Sequence, residues 1–508
     1  MALCSAGVRA EGSAASCQAL ASADFSQVQD ALTQIVETKT VAAAADSVGY
    51  CHVSGYVAPN IGFALRLPVA PWNGKLIELG CSGKCGITDH IAMCGASLAR
   101  GYACIVTDGG HRSTPADGKW AYNNFASLID YSVRASHVTA LAGKAIVQRF
   151  YGQAPQRSYF MGCSAGGTQG MQLAQKFPWD FDGIVAGAPA LSWTDTHVST
   201  LWNNRALVGQ DGQAILVQRD LDVLHNAVVK KCDLNDGVED GLIGDPRSCP
   251  FDPEELSCKP GVTTQCLTSK QIDAVKKVYG GAVTSTQKQL IQSSVLPGSE
   301  RTWLDLFRGS DANPTATYDG VADSFRYQDF QPNPGPGWKP ENFDFDRDYA
   351  RLGITASMEP LNPDLRKFMA AGGKLLAYTG WADALEGVPR TVDYYETAER
   401  VVGGRAGTQE SFRLFVVPGM NHCTGGPGAF AINYLSYLET WVEKGRAPDQ
   451  LIASHPRPGI FVDPFGMNIP RDSSKIEFTR PVYPYPIETK YRGTGDPKSA
   501  ASFGPLSR

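Results

Sequence analysis

Hydrophobic and polar positions follow two rhythms along this chain. "GFALRLP", "GKLIELG" and "YACIVTDGG" are short apolar runs closed by glycine or polar residues, a pattern that predicts strands. "ASHVTALAGKAIVQRFYG" carries its apolar residues at helical spacing. "RSYFMGCSAGG" reads as a strand entering a tight turn, "GTQGMQLAQKF" as a helix restarting, and "DGIVAGAPA" as another strand. Upstream, "FSQVQDALTQIVETKTVAAAADSV" is predicted helical. Strands alternating with helices imply a mostly parallel sheet covered by helices.

The rhythm breaks after Leu191. Helices, cysteine-bounded loops and irregular stretches such as "QPNPGPGWKPENFDFDRDYARLG" follow, with few strand-like runs. Strands resume at "GGKLLAYTG" and "SFRLFVVPG". The partition is an N-terminal segment 1–16, a first core portion 17–190, an inserted lid domain 191–369, and a second core portion with its tail, 370–508. The proline-rich tail "RPVYPYPIETKYRGTGDP" is expected to lie extended on the core.

Composition agrees with that partition. The 508 residues exceed the usual size of a single compact core, so a core plus an insertion is the expectation. A net charge of −5 with no lysine- or arginine-rich run speaks against nucleic acid and anionic membranes as partners. No apolar run is long enough to span a bilayer, so no membrane span is expected. The sequence says nothing of oligomeric state. Thirteen cysteines without a CxxC pair point away from zinc ribbons and toward disulfides in an oxidising, secreted or periplasmic setting. The start "MALCSAGVRAEGSAASC" holds no full signal peptide and is read as the remnant of one, with Cys4 the odd cysteine.

The chemistry begins at "MGCSAGGTQG". Gly162, Ser164 and Gly166 form G-x-S-x-G between a strand and a helix. That spacing puts a serine on a sharp, strained turn whose small neighbours leave its hydroxyl exposed. A serine nucleophile needs a base, and the base needs an orienting carboxylate. In this topology they follow as acid and then histidine, each at the carboxyl end of a strand. "KLLAYTGWADALEG" offers Asp383, and "FRLFVVPGMNHCTGG" offers His422. His111, in "TDGGH", precedes the serine and is assigned a structural or substrate-side role. Asp393 sits in a helical run and reads as a surface residue. The oxyanion donors expected are the N–H of Ala165 and that of Gly83 in "ELGCSGKCG". The same stretch reads equally as a disulfide-pinned glycine turn, and the two roles are compatible.

Cys163 precedes the serine and Cys423 follows the histidine, so contact between Ser164 and His422 would bring the two cysteines within disulfide reach. A G-C-S-x-G-G elbow paired with a later H-C resembles the tannase/feruloyl esterase family, over nearly the whole chain from Cys17 to the tail. The resemblance implies an α/β-hydrolase core with a lid insertion. It also implies hydrolysis of a small-molecule carboxylic ester, the family expectation being an ester of an aromatic acid. An ester of another kind, or a non-catalytic polyphenol- or carbohydrate-binding protein on the same fold, are the alternatives.

"CDLNDGVEDGLIGDPRSC" places Asp233, Asp236 and Asp240 among glycines on one short loop, hard oxygen donors of the kind calcium takes, though not at EF-hand spacing. Without the resemblance an acidic surface turn would be an equal reading. With it, the implied ligand set is those three carboxylates plus the backbone carbonyls of Val238 and Leu242, in a structural calcium site. Cys232 and Cys249 bracket the loop and are expected to close it, with Cys258–Cys266 a second clasp. Cys17 and Cys51 complete the assigned disulfide cysteines. Two departures stand out. Tyr483 occupies the place of a cysteine usual in the family's C-terminal segment, and no cysteine follows Cys423. Cys81, Cys85, Cys94 and Cys104 crowd the oxyanion stretch, and three pairings stay open. For the substrate pocket the insertion offers the aromatics Trp303, Phe307, Phe325 and Tyr327, of which Trp303 and Phe325 are the candidates.

Overall fold

The computed structural model describes residues 13–506 except 45–46, 70, 210–211, 293–294 and 309–315. Cys4 and most of the 1–16 segment lie outside the described residues.

Nine strands form one sheet: β1 (Thr33–Val41), β2 (Tyr50–Val57), β3 (Ile61–Pro68), β4 (Lys75–Leu79), β5 (Ala103–Thr107), β6 (Arg157–Cys163), β7 (Gly183–Gly187), β8 (Lys374–Gly380) and β9 (Phe412–Val417). Their order is β1-β2-β3-β5-β4-β6-β7-β8-β9. The first three strands pair antiparallel, and β3 pairs antiparallel with β5. From β5 onward every pairing is parallel.

Residues of the parallel strands alternate between two cores, as side chains of a pleated strand must. Tyr159 and Met161 of β6, Val185 of β7, Tyr378 of β8 and Phe415 of β9 enter one cluster, where Leu435, Leu438 and Trp441 of helix Tyr434–Lys444 cover them. Phe160, Ile184, Ala377 and Leu414 enter the other, against Met171 and Leu173 of helix Ala165–Lys176 and Tyr395 of helix Val388–Val402. Both faces are buried, and this is why these strands read as continuous apolar runs rather than alternating ones.

The stretch 33–41 is strand β1, not helix. Thr33, Ile35, Val36, Thr38, Thr40 and Val41 are β-branched, and β2 supplies a full antiparallel partner from Thr33↔Val57 to Val41↔Tyr50. As an edge strand it leaves Val36 exposed, which removes the alternation that would have marked it.

Between β7 and β8 the chain leaves the sheet. The described residues of 191–369 contribute no strand to it. They build two interiors of their own, one around Leu224, Val228, Trp303 and Phe307, the other around Phe325, Phe330 and Phe343. The tail returns to the core: Tyr485 N donates to Leu414 O at 2.8 Å, and the Tyr485 ring packs into the second cluster.

Candidate active site

Three of the sequence-assigned residues sit just beyond the carboxyl ends of three parallel strands. Ser164 follows β6, Asp383 follows β8 and His422 follows β9. Ser164 adopts φ 62°, ψ −125°, a conformation that non-glycine residues avoid. The turn holds it there. Ser164 N donates to Gly187 O at 3.0 Å, and Ser164 O accepts from Thr168 N at 2.9 Å. Gly162 is required by close approach, since a Cβ there would stand 2.3 Å from Gly166 O.

His422 Nδ1 lies 2.8 Å from Asp383 Oδ2. The other carboxylate oxygen, Oδ1, accepts from the backbone N–H groups of Leu385 (2.9 Å) and Glu386 (3.2 Å). Asp383 is buried, so its carboxylate is fixed in place and aimed at the imidazole. Burial pulls the His422 pKa down, but the charge and hydrogen bond of Asp383, helped by Glu386, raise it to about 9. Burial lifts Glu386 to about 7, opposed by His422 and reinforced by Asp383.

A disulfide joins Cys163 to Cys423, with Cα atoms 5.8 Å apart and 260 residues between them in sequence. It ties the residue before Ser164 to the residue after His422. No hydrogen bond joins Ser164 Oγ to His422 among the described residues; such contacts are often loose before substrate binds.

Gly83, Ser164 and Ala165 all line one cavity of about 270 Å³. Neither the Gly83 nor the Ala165 N–H donates to another backbone group among the described residues. Gly83 has φ +54°, and a Cβ there would stand 2.5 Å from Pro115 O. The loop around it is held by a Cys81–Cys85 disulfide and by Cys81 N donating to Gln169 Oε1 at 3.1 Å. Cys94 pairs with Cys104, which resolves the three open pairings. Cys17–Cys51, Cys232–Cys249 and Cys258–Cys266 are joined as well.

The cavity runs from the turn after β6 into the inserted segment. Leu128, Tyr131, Trp193, Val321 and Leu385 form its apolar wall, and Lys84, His197, Gln328, Asp329 and Glu386 are among its polar residues. Trp303 and Phe325 are not on it. Both are fully buried in the insertion's own interiors, where their size serves packing, so the sequence candidates for substrate contact are corrected to core residues. Sequence reasoning missed Trp193 and Glu386, although Trp193 directly follows the β7 loop and Glu386 stands three residues after Asp383. His111 is buried and stacked on Trp120 at 3.6 Å between ring centres, off the cavity, with its pKa pushed down to about 4 by burial. Asp393 is exposed on a helix.

The acidic loop is compact. Asp233 accepts from Asp240 N (3.2 Å) and Gly241 N (2.9 Å), and Asp240 Oδ2 pairs with Arg480 at 2.5 Å. Burial, then repulsion from Asp240 and Asp233, raises the Asp236 carboxyl to about 7. Burial also raises Asp240, against the pull of Arg480. Among the described residues no three acidic, histidine or cysteine side chains converge as a preformed metal cluster. The donor chemistry suits a hard cation, with Arg480 now holding part of it.

The family model described as tannase and feruloyl esterase matches residues 45–505. The chain is 33% identical to a mono(2-hydroxyethyl) terephthalate hydrolase from Piscinibacter sakaiensis, covering 97% of this chain and 91% of that protein. It resembles the crystal structure of feruloyl esterase B from Aspergillus oryzae with a TM-score of 0.84 at 25% identity, over 97% of this chain and 99% of that one. A tannin acyl hydrolase from Aspergillus niger shares the fold, with a TM-score of 0.76 at 20% identity, over 98% of this chain and 95% of that one. The architecture is that of the α/β-hydrolases.

Proposed function

Since the chain belongs to the tannase and feruloyl esterase family and is a carboxylic ester hydrolase, we propose that it works through a serine acyl-enzyme and acts on esters of aromatic acids. The observation that carries this reading is the covalent tie between the neighbours of Ser164 and His422, with Asp383 locked onto the imidazole. His422 Nε2 takes the Ser164 Oγ proton as the oxygen attacks the ester carbonyl. Charge on the carbonyl oxygen is met by the N–H groups of Ala165 and Gly83. Collapse breaks the ester C–O bond, and His422 returns the proton to the departing alcohol. Water then repeats the sequence on the acyl-serine, releasing the acid and restoring Ser164.

The apolar wall with Trp193 and Tyr131 is the support for an aromatic acyl group. Residues 191–369 serve as a lid, since they supply the far wall of this cavity. We propose a structural calcium ion on the loop of Asp233, Asp236 and Asp240, with the carbonyls of Val238 and Leu242. Three carboxylates within eight residues of sequence support it, and the ion would lock the loop that Cys232–Cys249 closes. Six disulfides support a secreted or periplasmic location; no helix among the described residues is long and apolar enough to cross a membrane.

The test is a panel of methyl ferulate, methyl gallate and a terephthalate monoester, scored by kcat/KM beside an aliphatic methyl ester. Aromatic esters should exceed the aliphatic one by at least about tenfold. Equal rates across the panel would remove the aromatic assignment.

A further inference from the structure

An oxyanion hole made by Ala165 and Gly83 draws its two donors from separate elements. Ala165 opens the helix Ala165–Lys176, whereas Gly83 belongs to the loop that follows β4. Such donors stabilise charge only where their separation is fixed beforehand. Most amides of the 81–86 loop are already engaged. Cys81 N donates to Gln169 Oε1 (3.1 Å), Lys84 N to Pro115 O (2.7 Å), Cys85 N to Ser82 O (3.0 Å) and Gly86 N to Asp108 O (2.8 Å). Gly83 N has no such partner among the described residues, and Gly83 lines the cavity beside Ser164.

The loop does not hold this shape by preference. Gly83, Cys85 and Gly86 have φ of +54°, +58° and +90°, a region that a cysteine avoids. Where the loop begins it lies against the nucleophile helix with no side chain between: a Cβ on Gly80 would stand 2.6 Å from Gly166 Cα. Contact so bare sets a distance but no register. Gln169, one turn after Ala165 and 8% exposed, supplies the register. With Oε1 turned to Cys81 N, its Nε2 is left to donate to the disulfide, 3.3 Å from Cys81 Sγ and 3.6 Å from Cys85 Sγ. One amide therefore meets the backbone of the loop and both sulfurs that close it.

We propose that Gln169 is a positioning residue for the oxyanion hole: acting through the Cys81–Cys85 disulfide, it fixes the Gly83 N–H relative to that of Ala165. The ordinary alternative is a buried glutamine that satisfies Cys81 N and adds only to stability. The two differ in where the loss falls. Loss of position lowers affinity for the transition state and spares binding of the ground state, whereas loss of packing lowers the melting temperature alone.

This inference rests on the serine mechanism above, and its test keeps the two apart. Gln169→Met keeps the length of the side chain and removes its hydrogen bonds. On the fastest ester of the panel it should lower kcat by about tenfold to a hundredfold, with KM changed by less than about threefold. Affinity for phenylboronic acid, which forms a tetrahedral adduct with a serine nucleophile, should fall by about tenfold or more. In a Ser164→Ala background the same change should leave binding of that ester, read by calorimetry, within about twofold. Cys81→Ala with Cys85→Ala should reproduce the loss of kcat. Adding Gln169→Met to that pair should cost less than about threefold more, because both act on one loop. If Gln169→Met does not fold, Gln169→Glu replaces it: the acceptor for Cys81 N stays, the donor to the sulfurs goes, and the same split is expected. Unchanged kcat and unchanged boronate affinity would overturn the inference, as would a triple variant whose losses simply multiply. If phenylboronic acid does not inhibit the unaltered enzyme and turnover survives Ser164→Ala, the serine mechanism itself fails, and the positioning role falls with it.

Discussion

The two ends of the cavity are built by different means. At the sheet end, where Ser164 lines the cavity, Ser164, Asp383 and His422 follow the tips of β6, β8 and β9 of one parallel sheet, and the Cys163–Cys423 disulfide clamps two of the three turns. At the insertion end, His197, Ser324, Gln328 and Asp329 come from helical segments and are held by hydrogen bonds and by packing of the His197 ring on Phe325, with no disulfide between them. The difference is one of tolerance. Chemistry at the sheet end loses rate with small displacements and is fixed covalently. Under the proposed function, acyl contacts at the insertion end can be exchanged without touching the residues that cleave the ester.

The contrast is broken most sharply at the sheet end. Ser164→Ala should lower kcat by roughly 10⁴–10⁶-fold while leaving the melting temperature near its starting value. Asp383→Asn should cost about 10⁴-fold, because the imidazole loses the partner that sets its tautomer. Steady-state kinetics beside a melting curve check both, and near-normal turnover in either variant would dissolve the triad.

The next effect is that of the clamp. The double change Cys163→Ala with Cys423→Ala should lower kcat by about tenfold to a hundredfold, with a smaller change in KM. It should also destabilise the fold, by at most about 5 kcal/mol on the chain-entropy account of so long a loop. Loss of stability with unchanged kcat would make the disulfide a general staple rather than a device for the base.

His422 gives a pH signature. A general base must be neutral, so kcat/KM should climb as pH rises toward about 9. Stability runs the other way. A histidine whose folded pKa exceeds its unfolded value of about 6.5 stabilises fully below that value and ceases to do so as pH passes through about 9. Asp383→Asn should move the activity limb toward lower pH. A profile already flat from pH 6 upward would contradict the raised pKa.

The smallest effect is expected at the acidic loop, remote from the triad in sequence. Chelation, or Asp236→Ala with Asp240→Ala, should lower the melting temperature by a few degrees, since an ion bound only by the folded state stabilises it by mass action. Elemental analysis without calcium and an unchanged melting curve would leave an acidic turn held by Arg480.

The sheet end was legible in the sequence because each of its parts has a local signature. Gly162, Ser164 and Gly166 mark the elbow, and apolar runs ending at Asp383 and His422 mark strand tips. Strand β1 is not legible as a strand because exposed Val36 and the register shift between Ile35 and Glu37 break the alternation, and pairing with β2 is what fixes it. The insertion end has no such signature. Trp193, His197, Gln328 and Asp329 lie far apart or in helical stretches of ordinary composition, and only tertiary packing turns them toward one cavity. Trp303 and Phe325 were attractive because they are large and aromatic, which is also why they fill cores.

The most direct test of the central claim is to find the acyl group. The enzyme is mixed with p-nitrophenyl ferulate, quenched in acid during the burst, digested and mapped by mass spectrometry. A feruloyl mass increment is expected on the peptide carrying Ser164, absent in Ser164→Ala. Turnover of the ester with no acyl group on Ser164, or with the group on another residue, would contradict it.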